Sequence, residues 1–575
     1  MAIDPIAFEV ARRALESAAD EMCVALARSA YSTNIKSRLD LSCALLDRNG
    51  KVIGQSSAQP CHIAAMNIIV PAAIERFGPG RLRPGDQLVT NDPYQGGVHL
   101  NDIVVLAPVF LDEEIIGYTA NLAHHVDVGG AQPGSLAPSR EVYQEGIILP
   151  IVKVASEGSL DTDVYRMFVA NIRAKKETAG DFRAQVAANA LGARRFAEIV
   201  RRMGRVAFAL FTEELFAYTS HRTQRSLLAL PNGIYRAEDQ LDDDGHTDQP
   251  IRFKVAVGVK DGAVSFDFTG TDPQRASAMH ATFTQTFAAC AYVLRCLINR
   301  DAPVNDGFFR LINVTAPEGT AVNASAPAGV AGGWEVSLRL CDLLFQAFSQ
   351  ALPNAVPAGC KAMVCHAVFG GRDPRNDEDY VFIETLAGGH GGRAGSDGPD
   401  AVQTHHQNTQ NTPIEEMEAF YPVRVIRYSL ARDSEGAGTH RGGLGVHREY
   451  TFPDHDVTFT VLADRRKFPP RGLFGGQDAG RATYTHVGVD GVARALGSKT
   501  TLRVRSGEVI VYRTCGGGGY GPPMQREPAL VVQDVVKGKI SIARAAEAYG
   551  VVIDPATMTL DHRATIECRG ALENA

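Results

Sequence analysis

No apolar run in this chain approaches the roughly 18 residues that a membrane span needs. The opening residues, MAIDPIAFEVARRALES, carry acids and lack a basic region followed by an apolar one, so they do not read as a secretory signal. From both absences we expect a cytoplasmic protein with no membrane contact. Charge of either sign is scarce. A net charge of -7 over 575 residues calls for neither nucleic acid nor an anionic surface. Ten cysteines run from Cys23 to Cys568 without CxxC spacing, and Cys360 and Cys365 match no zinc or redox pattern. They are expected to be reduced and partly buried. Neither G-x-x-x-x-G-K-[ST] nor G-x-G-x-x-G occurs, so no nucleotide fingerprint is seen.

What is present is a length beyond one compact core, and with it an expectation of several lobes. The fold class expected is α+β. An N-terminal α/β lobe (1–156) carries the candidate metal site, and a helical segment follows (157–230). A mixed α/β lobe (231–419), a β-sandwich-like lobe (420–521) and a small helical tail (522–575) complete the chain.

The chemistry concentrates between Asn91 and Gly130, NDPYQGGVHLNDIVVLAPVFLDEEIIGYTANLAHHVDVGG. Ile103 to Phe110 and Ile115 to Leu122 read as a hairpin across Asp112–Glu114. Strands rise about 3.3 Å per residue, and antiparallel neighbours lie roughly 5 Å apart. The hairpin therefore brings His99 and Asp102 to His124, within reach of one ion. Imidazole and carboxylate without cysteine suit zinc, manganese or iron(II). The same residues also suit turn caps. Gly96, Gly97, Gly129 and Gly130 allow close backbone approach there.

Around this stretch, Asp4 and Pro5 start a helix whose apolar stripe is Phe8, Ala11, Leu15, Ala18, Met22 and Leu26. Asp40, a ligand or a turn residue, leads into a hairpin turning at Asn49-Gly50. His62 to Phe77 reads as a helix, and Gly134 to Tyr143 as a loop. Glu145, a pocket acid or a solvated turn carboxylate, precedes an expected strand from Ile147 to Val154. Period near 3.6 marks helices across 157–230. Three strands follow Gly233. Asp242 to Asp244 with Gly245 is similar to a calcium loop but does not complete the twelve-residue pattern, and reads as a solvated turn. Helices are expected over Ala276 to Asn299 and Glu335 to Leu352. The loop Gly388 to Asn408 holds His390, His405 and His406, read as pocket or interface lining rather than a second metal site. CGGGGYG, from Cys515 to Gly521, reads either as a phosphate nest or as a flexible connection.

NDPYQGGVHLND, AHHVDVGGAQPGS and YQEGIILP resemble the B subunit of the hydantoinase/5-oxoprolinase family. The likeness continues in SRLDLSCALLDRNGKVIG, NTQNTPIEEMEAFYPVRV, DSEGAGTHRGGLGVHREY and CGGGGYGPPMQREPALVVQDVVKGKIS, across nearly the whole chain. The resemblance implies a metal site of Asp40, His99, Asp102 and His124, taking zinc or manganese. It also implies a separate hydantoinase A-type subunit that binds ATP-Mg in an α2β2-type hetero-oligomer. The implied activity is ATP-dependent opening of a hydantoin, an oxoproline-like ring or another lactam. The alternative is the equivalent subunit of an acetone- or acetophenone-type ketone carboxylase, which would take bicarbonate. His125 and Asp127, beside the site, are candidates for orienting ligands or moving protons, with Glu145 as a third catalytic candidate.

Overall fold

The computed structural model describes residues 3–56, 59–160, 162–298 and 301–573. Helix α1 (Pro5–Ser29) starts as its sequence dictates, with the Asp4 carboxylate accepting from the Ala7 amide at 2.9 Å and Pro5 in the first turn. Its stripe from Phe8 to Leu26 is buried. A short helix, α2 (Thr33–Lys36), follows and carries Asn34. Strands β1 (Leu41–Asp47) and β2 (Val52–Gln55) form the first hairpin, and α3 (Pro60–Phe77) leads to β3 (Gln87–Thr90). Strands β4 (Asp102–Leu111), β5 (Glu114–His124) and β6 (Val152–Ala155) complete a six-stranded antiparallel sheet of order β2-β1-β5-β4-β3-β6.

This sheet is covered on both faces. Every residue of β1 is buried because alternate side chains serve different cores. Cys43 and Leu45 pack with α1, while Ala44 and Leu46 pack with α3. The helical segment supplies α4 (Asp163–Ala170), α5 (Lys175–Met203) and α6 (Arg205–Leu227), with α5 lying across α1, β4 and β5. Strands β7 (Gly233–Leu241), β8 (Ile251–Lys260), β9 (Ala263–Asp267) and β10 (Ile312–Thr315) form the second sheet, with β9 and β10 parallel. Against it pack α7 (Phe283–Leu297), the short α8 (Asp306–Phe309) and α9 (Gly333–Ser349). Helix α9 is buried along almost its whole length, and its N-terminal Trp334 and Leu338 reach the first sheet's core.

Two further sheets face each other over an aromatic core. One runs β12-β11-β15-β18 and the other β13-β14-β19-β16-β17. Their strands are β11 (His366–Arg372), β12 (Asp379–Thr385), β13 (Arg424–Leu430), β14 (Val446–Thr451), β15 (Val457–Leu462), β16 (Thr483–Val487), β17 (Ala493–Ala495), β18 (Lys499–Val504) and β19 (Val509–Arg513). Phe369, Phe382, Tyr450, Phe459 and Tyr512 fill the space between them. Residues 366–385 therefore belong to the same two-sheet body as the stretch from 420 to 515. The tail ends in short helices, one capped by Ser541 and closed by Gly550 in the left-handed conformation.

Three local expectations need correction. The strand expected from Ile147 forms only at Val152, because the Leu149 amide donates to the Asn91 side chain at 2.6 Å and Pro150 has no amide to give. The helix expected from Ala276 begins at Phe283, where Thr282 and Gln285 form a reciprocal capping box. Its expected end at Asn299 lies outside the described residues. Asp242 is not a solvated turn. It is fully buried and accepts from the amides of Arg466, Lys467 and Phe468 at 2.7, 2.9 and 3.2 Å. Its own amide donates to Asp464, which is paired with Arg339 and Lys499.

Candidate metal centre

Strand pairing sets Asp102 directly opposite His124. With side chains alternating along each strand, Asp102 shares a face with Val104 and Leu106, and His124 shares one with Leu122 and Ala120. Both therefore point toward α9. The Asp102 amide donates to the His99 carbonyl at 3.1 Å, folding the loop so that His99 returns over the strand end. The His124 amide donates to the Asp40 carbonyl at 3.1 Å, which fixes the entrance of β1 beside the pair.

One ligand atom each from His99, Asp102 and His124 lies within 4.8 Å of the others, and all three residues are buried. The two imidazole rings are 5.0 Å apart, and His99 Nε2 lies 3.0 Å from Asp102 Oδ2. Trp334 Nε1 donates to the same Oδ2 at 2.9 Å. Among the described residues, neither ring nitrogen of His99 nor Oδ1 of Asp102 has a hydrogen-bond partner. Buried polar atoms are rarely left so. Three orphaned atoms in one cluster fit a missing cation, and the imidazole and carboxylate donors suit a divalent one.

The charge states agree. Burial opposes the ionised form of Asp102, but His99, His62 and His124 outweigh it and hold the carboxyl well below its usual range. Burial pushes His124 far down, leaving the neutral ring that a ligand must be. His99 is held up, because Asp102 overcomes the cost of burying its charge.

Asp40 stands outside the tight trio. Its Oδ1 lies 3.8 Å from His62 Nε2, and its carboxylate lines a cavity of about 30 Å³ together with Arg38, His62, His124, Trp334, His366 and His406. That volume holds a water or two. Arg38, His62, Trp334 and His366 were missed in the sequence because they arrive from four separate segments with no common spacing. Only Arg38, two residues from Asp40, had a nearby signal.

The three catalytic candidates stand apart from the cluster. His125 points to the opposite face, 2.9 Å from Gln185 Oε1 and against the Phe182 ring. Asp127 accepts from the amides of Gly129, Gly134 and Arg173 and from the Arg173 guanidinium, tying a loop to the helical segment. Glu145 is buried, accepting from Ser139 Oγ at 2.5 Å and from the Val330 amide at 2.9 Å. Burial drives its carboxyl up to about 7, against 4.5 for an ordinary glutamate.

A pH dependence follows with a definite sign. The folded chain binds the Glu145 proton more tightly than the unfolded chain, so this group favours folding at low pH. That contribution, about 3 kcal/mol, is lost as pH rises through its folded value near 7. Glu145→Gln is expected to flatten the decline in melting temperature between about pH 5 and 8. Parallel melting curves for the variant and the parent across that range would refute it.

The histidine loop and the glycine run are both more ordered than their sequences suggest. His405 Nε2 lies 2.8 Å from Asp342 on α9, and His406 Nε2 lies 3.2 Å from Ser337 on the same helix. Gly516 to Gly519 run through an array of other glycine segments. A Cβ on any of the four would come 2.0 or 2.1 Å from a carbonyl oxygen of Ser434, His390, Arg471 or Ala437. The amides of Gly517, Gly518 and Gly519 donate to carbonyls of Gly443, Gly359 and Gln477. In this fold those amides build the core and are not turned to a phosphate.

In class, this is a multi-lobed mixed α/β protein whose buried donor set is of the kind that holds a divalent cation. The chain belongs to the hydantoinase B/oxoprolinase family, whose profile matches residues 4–523. It is 33% identical to the B-type subunit of a D-/L-hydantoinase from a Pseudomonas species, over 99% of this chain and 98% of that one. It is also 33% identical to 5-oxoprolinase 1 of Arabidopsis thaliana, over 88% of this chain but only 40% of that longer protein. Among solved structures it matches the ATP-dependent caprolactamase of Pseudomonas jessenii with a TM-score of 0.93 at 29% identity, over 99% of this chain and 100% of that one. A nucleotide-free acetone carboxylase shares the fold, with a TM-score of 0.93 at 20% identity over 99% of this chain and 83% of that one. Among the described residues no helix is long and apolar enough to cross a membrane.

Proposed function

We propose that this chain is the metal-bearing subunit of an ATP-dependent cyclic amidohydrolase that opens a hydantoin, an oxoproline-like ring or another lactam. The observation that carries the reading is the trio His99, Asp102 and His124, with three ligand atoms left unpartnered in a buried site. Family membership and the caprolactamase likeness support the reaction class. ATP-Mg would sit on a separate hydantoinase A-type subunit in an α2β2-type assembly.

His99, Asp102 and His124 would hold zinc or manganese, with Asp40 facing them across the cavity. Such an ion, when bound, lowers the pKa of a coordinated water and polarises an oxygen. The chain's own residues prepare the place. Trp334 fixes one oxygen of Asp102, leaving the other free. Arg38, buried and held by Asn34 and the Ile383 carbonyl at 2.7 Å each, brings a positive charge to the cavity wall where negative charge develops on a carbonyl under attack. His62 stands beside Asp40, placed to hold or pass a proton.

The test combines the purified chain with its A-type partner, ATP and a panel of hydantoin, 5-oxoproline and caprolactam. ATP-dependent ring opening of one of them, with about one divalent ion per chain, is the expected result. Consumption of bicarbonate with a ketone and no ring opening would replace this reading by the carboxylase one. Absence of bound metal would leave neither.

A further inference from the structure

The second cluster, Asp342, Cys360 and His405, differs in kind from the first. One ligand atom of each lies within 4.8 Å of the others. Here, however, the carboxylate is fully engaged. Asp342 faces His405 Nε2 at 2.8 Å and accepts from the Cys360 amide at 3.0 and 3.1 Å and from the Arg465 guanidinium at 2.5 Å. A cation would have to displace that guanidinium, so the group is a poor metal site. Carboxylate, imidazole and thiol stand together as in an activated cysteine, where the acid orients the ring and the ring takes the thiol proton. The Gly391 amide donates to Cys360 Sγ at 3.3 Å, a contact that steadies negative charge on sulfur.

The imidazole is tightly held. It stacks on Phe345 with centroids 5.6 Å apart and meets the Tyr292 ring edge-on at 6.1 Å. Its backbone sits at φ 59°, in the left-handed region that a non-glycine residue keeps only when its surroundings force it. Burial opposes its charge, but Cys360 and Asp342 outweigh that and hold it up at about 9. The other titratable groups facing it are Tyr292 and His390, whose ring is 6.5 Å away, with Arg465 on the far oxygen of Asp342. Beside the cluster lies a cavity of about 60 Å³ lined by Asp342, Ala358, Gly359, Arg465 and Arg471. It is of a size to admit water-like molecules.

We propose that Cys360, oriented by His405 and Asp342, is a reactive thiol that small peroxides oxidise. Sulfur attacks one peroxide oxygen, the S–O bond forms and the O–O bond breaks. The thiol proton passes through His405 to the departing hydroxide. The products are a sulfenic acid and water, with sulfur losing the two electrons that the peroxide gains.

The test exposes the intact chain briefly to hydrogen peroxide, then unfolds it and alkylates the remaining thiols. Peptide mass spectrometry reads the surviving fraction of each cysteine. Cys341, buried next to Asp342 and without an imidazole partner in this cluster, is the internal reference. Cys360 is expected to oxidise at least about tenfold faster than Cys341 near pH 7. His405→Gln and Asp342→Asn are each expected to bring Cys360 back toward the Cys341 rate. Equal rates for the two cysteines in the parent chain would overturn the proposal, and that comparison needs no variant to fold. So would a Cys360 rate untouched by both substitutions, or a zinc ion that the parent retains and Cys360→Ser sheds.

Discussion

His99→Ala is expected to lose its metal and, with it, activity in the assembled enzyme. The fall should be at least roughly 100-fold, since removing even an outer partner of a metal ligand costs that much. The variant should also be less stable without metal. His99 is the nearest imidazole to the buried Asp102 carboxylate, and removing one partner of a buried pair costs about 3–5 kcal/mol. Trp334 still donates to Asp102, which places the loss toward the lower end. His125→Ala is the matched control. It removes an imidazole one residue from His124 but on the opposite face, so metal content should be unchanged. Elemental analysis and thermal melts of the two variants decide this. Full metal in His99→Ala, or metal loss in His125→Ala, would move the site elsewhere.

Gly442→Ala should be the most damaging single methyl in the chain's second half. The added Cβ would lie 1.7 Å from the Gly517 carbonyl oxygen and 2.3 Å from its carbon. Both neighbours are backbone, so no side chain can rotate away. The Gly517 amide and carbonyl are in turn bonded to Gly443 and Gly436, and yielding there breaks the array on both sides. A cost above about 4 kcal/mol is expected, in the range reserved for strain and core disruption. Soluble yield and denaturant unfolding measure it. Gly80→Ala is the comparison, because nothing lies within 4 Å of its added Cβ, and it should stay within about 0.5 kcal/mol of the parent. A Gly442→Ala chain as stable as Gly80→Ala would mean that the glycine segments are less closely packed than these distances imply.

Legibility followed the range of the forces involved. The hairpin of β4 and β5 was readable because strand period and turn residues are local, and they place Asp102 against His124 without further information. Helix α1 was readable from Asp4, Pro5 and a stripe at three and four. The start of α7 was misjudged because the apolar run before it resembles helix, while the capping box at Thr282 and Gln285 decides the matter. His62, Trp334 and His366 were not legible as cavity residues. Each is an ordinary member of its own helix or strand, and only packing turns them toward one space. Asp242 was misread as solvated because aspartates beside glycine usually are. Its partners, Arg466 to Phe468, lie more than two hundred residues away.

The order of amino acids by itself settled the helices, the hairpins and the meeting of His99, Asp102 and His124, since these depend on neighbours within a few residues or across one turn. Tertiary structure alone decided which of their atoms are left without partners, how glycines from five stretches interlock, and that Cys360 meets His405 and Asp342. Burial and hydrogen-bond satisfaction are properties of segments brought together from far along the chain, and no local pattern encodes them.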